Sequence, residues 1–243
     1  NGFVHLEQVL SKKEISFFRK EIKKVAEEKI KNKEKEFGGA FYQALNIRFD
    51  SKSVEKFCLS KRLGKIAADL MRVNAVRIFH EQAIFKHPGD TKSYWHQDQF
   101  FWPLETKLHI GMWMPLIDCT KDMGIMRFVK KSHTMGDQMG MSITNKSENH
   151  FDDIIKKNKL EVFELDSIKA GDCTFHFGWT IHGAGLNKSN KVREAMVVTY
   201  YADGSRVGKL ETKDRKGDAE LFLGGKKAGE IADNPINSIV YKK

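Results

Sequence analysis

The chain has 243 residues, of which 40% are apolar, enough for one sizeable core. No apolar run approaches the roughly 20 residues that cross a bilayer, and no charged-then-apolar leader follows Asn1, so a cytoplasmic protein with no membrane partner is expected. The formal net charge of +10 is carried mainly by lysine in clusters such as KNKEKE, without the arginine-and-aromatic stripe of a nucleic-acid module, so no nucleic-acid partner is expected.

The residues from 11 to 36, SKKEISFFRKEIKKVAEEKIKNKEKE, begin with Ser11 and carry Glu14 three positions later, the pattern of a capping box. Ile15, Phe18, Ile22 and Val25 then form one apolar stripe, which predicts a scaffold helix. A second helical piece is expected over Ser53–Met71, with Val54, Phe57, Leu63, Ile66 and Leu70 on its buried face. From Asn74 the texture changes to short β-type runs, AVRIFHEQAIFK, LHIGMWMPLID, GIMRFV, EVFEL, CTFHF and REAMVVTYYA, separated by Gly, Pro, Asn and Asp. Many short strands with turns between them predict a sandwich or barrel rather than a parallel sheet with helical crossovers. A single domain over 1–243 is expected: a mostly helical part at 1–73, a β core at 74–205, a loop excursion at about 134–160, and a C-terminal extension at 206–243. Cys58, Cys119 and Cys173 are odd in number and in none of the paired zinc spacings, which fits idle thiols in a reducing compartment.

The stretch SYWHQDQFFW, Ser93–Trp102, holds the candidate chemistry. Residues two apart on a strand point to the same face, so His96 and Asp98 can present an imidazole and a carboxylate to one metal ion while Gln97 faces away. The chain carries a second H-x-D at His150 and Asp152. That copy lies in the polar run NKSENHFDDIIKK and reads as solvated surface, whereas the first lies among Trp95, Phe100, Phe101 and Trp102, which exclude water. His182 follows an alternating strand and precedes a glycine turn, and would complete two imidazoles and one carboxylate. That donor set leaves coordination positions open and marks non-haem Fe(II) oxygenases. His176, six residues earlier, competes for the third place or lines the pocket. Arg193 opens an apolar β run: it is either an edge residue with its head in water or a buried guanidinium that requires an anion, such as a bidentate dicarboxylate.

Taken together, GFVHLEQVLSKKEI, WHQDQFFW, GIMRFVKKSH and KAGDCTFHFGWTIHGAGLNKSNKVR resemble the phytanoyl-CoA dioxygenase family of Fe(II)- and 2-oxoglutarate-dependent oxygenases, in the family's order and over most of the chain. The resemblance implies a mainly β fold with flanking helices, built on a double-stranded β-helix (jelly-roll, cupin-like) core. It implies that His96, Asp98 and His182 hold the iron and that Arg193 binds the distal carboxylate of 2-oxoglutarate. Trp113 matches an aromatic lining the cosubstrate pocket, and Lys86 matches a lysine on the strand before the metal motif, its alternative being a surface lysine at a strand end. Where some relatives carry a serine two positions after the distal histidine, this chain has Ala184. The missing hydroxyl is then expected from Thr199 or Thr174. Gln97, Phe100, Trp102 and His176 are the expected substrate-pocket residues.

The implied reaction consumes O2 and 2-oxoglutarate, releases succinate and CO2, and hydroxylates a small-molecule substrate. The net basic charge favours an anionic one. Asp98 stands where related halogenases have a small residue, which favours hydroxylation or another oxidative outcome over halogenation. The rival reading is a metal-binding jelly roll without turnover, a sensor or scaffold. Nothing in the sequence signals an oligomeric state.

Overall fold

The computed structural model describes the whole chain, residues 1–243. It opens with a strand, β1 (Phe3–Leu6), and helix α1 (Lys12–Ile30), where Ser11 and Glu14 make both arms of the predicted capping box. Strand β2 (Tyr42–Leu45) follows, then α2 (Lys52–Cys58) and α3 (Lys61–Met71). The single helical piece expected over 53–71 is thus two, parted at Leu59 and Ser60, and each N-cap is a serine, Ser51 and Ser60. In order come β3 (Ala75–Lys86), β4 (Ser93–His96), β5 (His109–Pro115), β6 (Cys119–Thr120), β7 (Met126–Val129), α4 (Asn145–Lys157), β8 (Val162–Glu164), β9 (Ser167–Ile168), β10 (Cys173–Phe177), β11 (His182–Ala184), β12 (Arg193–Ala202), α5 (Lys213–Leu223) and β13 (Ile239–Lys242).

The strands form a jelly roll of two facing antiparallel sheets, neither closed on itself. The major sheet has the order β1-β10-β5-β12-β3-β13, and the minor sheet the order β4-β11-β7-β8, while β6 and β9 pair separately. The long β3 carries two short strands on one edge: β2 against Gln82–Phe85 and β13 against Ala75–Arg77. The part at 1–73, expected as mostly helical, and the C-terminal extension therefore each supply strands to the major sheet.

Alternation along the major strands divides their residues between two environments. Outward, Ile110, Met112 and Met114 of β5, Met196, Val198 and Tyr200 of β12, and Phe175 of β10 pack with Ile22, Phe57, Leu63 and Ala67 of the three N-terminal helices in the largest core. Burial of such a layer at about 25 cal/mol per Å² of apolar surface is the main force holding the helices to the sheet. Inward, toward the minor sheet, point His109, Gly111 and Trp113 of β5, Thr174 and His176 of β10, and Arg193, Ala195, Val197, Thr199 and Tyr201 of β12. The same parity that builds the core thus lines the space between the sheets with polar groups.

The excursion expected at 134–160 lies between β7 and β8 but is not loop throughout, because α4 occupies Asn145–Lys157 behind a Thr144 cap. This helix covers the outer face of the minor sheet. Phe151 packs with Trp95, Val129 and Ile181, and the Glu148 carboxylate accepts from the Trp95 backbone N–H at 2.8 Å. The three cysteines are free and buried, and burial pushes the Cys119 thiol up to about 12, which fits unreactive packing residues. No helix is long and apolar enough to cross a membrane.

Candidate metal centre

His96 ends β4 and His182 begins β11, and the two are direct partners on the minor-sheet ladder. Their ring centroids lie 4.1 Å apart. Asp98 follows β4 in a short 3-10 turn, and its Oδ1 lies 3.4 Å from His96 Nε2 while its Oδ2 lies 3.6 Å from His182 Nε2. One ligand atom from each of His96, Asp98 and His182 fits within a 4.8 Å cluster, the spacing of three donors around one cation.

The hydrogen bonds behind the imidazoles fix which nitrogen is free. His96 Nδ1 lies 2.7 Å from the Tyr94 carbonyl and His182 Nδ1 lies 2.9 Å from the Thr180 carbonyl. A carbonyl only accepts, so each Nδ1 carries a proton and each Nε2 is left facing Asp98, the usual preparation of a histidine for metal binding. Burial, then the neighbouring His96 and His176, hold the His182 imidazolium pKa well below its ordinary value. Burial opposes ionisation of Asp98, yet His182, His176 and His96 more than offset it and hold the carboxyl well below its usual range. Two imidazoles and a carboxylate on one side of a point suit ferrous iron and leave further positions open.

His176 stands opposite, on the major sheet, and its Nε2 lies 3.3 Å from Asp98 Oδ2. Gly111 makes room for it: a Cβ there would sit 3.2 Å from the His176 ring, which explains a glycine within a buried strand. Both candidates for the third imidazole therefore reach Asp98, but His182 belongs to the three-donor cluster and His176 packs behind the carboxylate.

Arg193 is 2% exposed at the start of β12, and no carboxylate lies within 4 Å of its guanidinium. Its Nη1 donates to the Gly124 carbonyl, and its Nε has no partner. Burial lowers it to about 10. Trp113 lies beneath, its ring centroid 5.6 Å from the guanidinium carbon, and its indole Nε1 is likewise buried without a partner, as is the Thr174 hydroxyl directly across the ladder. Three unpartnered polar groups on one inner face describe a cradle for an oxygen-rich anion. Thr199, also buried, lies one ladder position nearer the metal-binding residues, opposite Gly111.

Other sequence-based expectations change. Lys86 is neither a surface lysine nor an open pocket cation: it is fully buried opposite Arg193 on the ladder, and its Nζ donates to the carbonyls of Thr91 and Gly185. Burial, then Arg193, lower it to about 7. Gln97, expected in the substrate pocket, is fully buried and engages backbone only, donating to Gly136 and Trp179 and accepting from the Gln138 N–H. It thereby pins residues 136–138. Phe100 packs toward the cluster beneath α4 instead of between the sheets. Trp102 packs in a core cluster with Phe79, Tyr201 and Phe222, its ring tilted by 31° against His109 at 3.7 Å.

The second H-x-D is not solvated surface but sits on α4, where positions two apart diverge and cannot share a cation. His150 Nε2 meets the Gln138 carbonyl at 2.7 Å, and Asp152 accepts from the Trp95 indole at 3.1 Å. Two inner-face histidines were not singled out from sequence, His80 and His109, both buried among aromatics. His109 precedes Gly111 and Trp113 at even spacing, and that shared parity is the signal that marks it. A surface hollow lies elsewhere, beside the start of α1, and its charges are largely paired, Arg62 with Glu14 and Arg19 with Glu194.

A family model described as phytanoyl-CoA dioxygenase (PhyH) matches residues 1–195. A curated relative, Phytanoyl-CoA dioxygenase 1 of Oryza sativa subsp. japonica, is 28% identical over 143 residues, 58% of this chain and half the length of that protein. Among solved structures, the fold is similar to the non-haem alpha-ketoglutarate-dependent epimerase SnoN from nogalamycin biosynthesis, with a TM-score of 0.80 and 17% identity over 100% of this chain and 94% of that one. The carbocyclase SnoK from the same biosynthesis gives 0.81 and 21% over 98% and 91%. EctD from S. alaskensis with 2-oxoglutarate and 5-hydroxyectoine gives 0.72 and 16% over 96% and 82%.

Proposed function

The chain belongs to the phytanoyl-CoA dioxygenase family, and from that membership we propose that it is an Fe(II)- and 2-oxoglutarate-dependent oxygenase acting on a small molecule. The observation that carries this reading is Arg193: a buried guanidinium without a counter-ion, sharing the inter-sheet space with a cluster of two imidazoles and a carboxylate. A sensor or scaffold needs the metal ligands alone. A cation buried at this cost is accounted for by an anionic cosubstrate.

In this reading His96, Asp98 and His182 hold the iron. Arg193 receives the distal carboxylate of 2-oxoglutarate through its planar fork, and Trp113 Nε1 and the Thr174 hydroxyl donate along the same face. Thr174 is favoured over Thr199 as the replacement for the hydroxyl missing at Ala184, because it lies directly opposite Trp113 with no other partner. Lys86, committed to two carbonyls, contributes positive potential behind Arg193 rather than a direct contact. The bound iron supplies oxidative decarboxylation of 2-oxoglutarate and oxidation of a substrate C–H bond. The protein orients both molecules and excludes water, with aromatic side chains closing the space around Trp102.

Hydroxylation is the proposed outcome, with Asp98 present as a ligand. Succinate release from 2-oxoglutarate, dependent on added Fe(II) and O2, tests the oxygenase reading. Product mass then separates hydroxylation, a gain of one oxygen, from ring closure or epimerisation, which add none. Metal binding without succinate release under any substrate would return the sensor reading.

A further inference from the structure

Asp98 is the one ligand of the metal cluster that no strand carries: it opens a 3-10 turn, Asp98–Phe100, just past the end of β4. Its carboxylate meets only imidazoles, those of His96, His176 and His182. Its place is therefore set by the backbone of the turn. On the C-terminal side the chain closes that turn poorly by itself. The Asp98 carbonyl accepts from the N–H groups of Phe101 and Trp102, at 3.0 and 3.3 Å, but the donors that would answer the Gln99 and Phe100 carbonyls are missing. The Trp102 N–H is already engaged by Asp98, and Pro103 has no N–H. Helical turns leave their last carbonyls open in this way, and where little water reaches, as at the 2% exposed Gln99, the open groups need a partner from elsewhere.

That partner comes from 116 residues further along the chain. Arg215, in the first turn of α5, donates from Nη2 to the Gln99 carbonyl at 3.1 Å, from Nε to the Phe100 carbonyl at 3.0 Å and from Nη1 to the Lys209 carbonyl at 3.2 Å. A planar guanidinium fork can serve two neighbouring carbonyls at once, which a single ammonium head does less well. The backbone of the extension is fastened beside it: the Glu105 N–H donates to the Arg206 carbonyl at 2.9 Å, and the Gly208 N–H to the Pro103 carbonyl at 3.0 Å. Helix α5 is itself held by Phe222 and Leu223, in the core cluster of Trp102 and Leu104. The Gln99 N–H also donates to the Gly178 carbonyl at 3.0 Å, so the turn persists without Arg215, and what the guanidinium adds is its placement. We propose that Arg215 is a positioning residue of the metal centre: by closing the turn it holds the Asp98 carboxylate against the His96 and His182 pair. The C-terminal extension is then part of the site, although it lies beyond the residues matched by the family model. The inference rests on the reading of His96, Asp98 and His182 as the iron ligands.

The test titrates the full chain, free of metal, with Co(II) followed by its visible spectrum, alongside thermal unfolding without metal. Arg215→Ala should raise the Co(II) Kd by about tenfold, the low end for losing a group that orients a ligand, and should alter the d–d band as the carboxylate loosens. Millimolar guanidinium chloride should restore most of that affinity, sodium chloride at the same ionic strength should not, and neither should tighten binding in the wild type. Leu223→Ala, which removes buried packing of α5 without touching the turn, should lower the Tm and leave the Co(II) Kd unchanged. A Kd within about threefold of wild type in Arg215→Ala, no recovery with guanidinium, or an equal loss of affinity in Leu223→Ala would each overturn the proposal and leave Arg215 a fastener of α5 alone. Where Arg215→Ala does not fold, Arg215→Lys carries the test: an ammonium in place of the fork should raise the Kd by about threefold or more, and wild-type affinity there overturns the proposal. Wild-type protein that binds no Co(II), or binds it as well after Asp98→Ala, would instead overturn the ligand assignment beneath it.

Discussion

Replacing Arg193 with methionine should separate function from stability, with the two effects opposite in sign. In the protein without cosubstrate the guanidinium is 2% exposed and lowered from 12.5 to about 10 by burial, which corresponds to about 3 kcal/mol against its charged form. Lys86 stands directly opposite and adds repulsion. Methionine removes that unfavourable charge while filling similar volume. It also removes the bond to the Gly124 carbonyl, whose loss costs about 1–3 kcal/mol. The two terms nearly cancel, so Arg193→Met should unfold within a few degrees of wild type or above it. Binding of 2-oxoglutarate behaves otherwise. A bidentate charge-assisted pair contributes about 3 kcal/mol at the low end, so its loss should raise the Kd by about 100-fold. Anaerobic titration of the Fe(II) protein with 2-oxoglutarate, followed by the weak visible band of the chelate, gives the Kd, and thermal unfolding without cosubstrate gives the stability. A Kd within threefold of wild type, or a Tm loss beyond about 6 °C, would refute the assignment of Arg193 as an anion dock and make it a structural cation.

Asp98→Ala should weaken Co(II) or Fe(II) binding by more than the roughly 10–100-fold typical of losing an outer partner, as followed by the Co(II) visible spectrum, while His150→Ala leaves it unchanged. Equal losses would remove the distinction between the two H-x-D copies. Arg48 and Glu81 form a buried pair that ties the turn after β2 to β3, and Arg48 also donates to the Ile236 carbonyl at 2.8 Å. Glu81→Ala should therefore lower the unfolding free energy by about 3–5 kcal/mol in urea, and the double variant Arg48→Met, Glu81→Leu should recover most of it. The Arg62 bond, then the Ser11 cap, lower Glu14 from 4.5 to about 2. A depressed carboxylate contributes stability that is present above pH 4.5 and lost as pH falls toward 2. Because the Glu14 side chain is 37% exposed and its ion pair is screened by solvent, the contribution is about 0.5–1 kcal/mol. Helicity of α1 by hydrogen exchange should fall across that window in wild type and not in Glu14→Gln.

Local chemistry was legible where it is local. The capping box of α1 and the strands β3 and β12 follow from spacing alone, because cap bonds and strand alternation act over two to four residues, whereas Asp98 meets His96 from a 3-10 turn past the end of β4 and not from the strand expected to carry both. The C-terminal β13 and the helix α4 escaped, since β13 is stabilised by the edge of β3 and α4 by its grip on Trp95, partners more than 50 residues away. Sequence alone therefore determined the donor types, two imidazoles, a carboxylate and a guanidinium, and the family to which they belong. The tertiary structure groups His182 with His96 and Asp98, as the resemblance implied, and it alone commits Gln97 and Lys86 to backbone partners. The physical reason is that a side chain's role depends on what the opposite strand leaves for it to bond. Pairing between strands remote in the chain sets those partners, and it has no local signature.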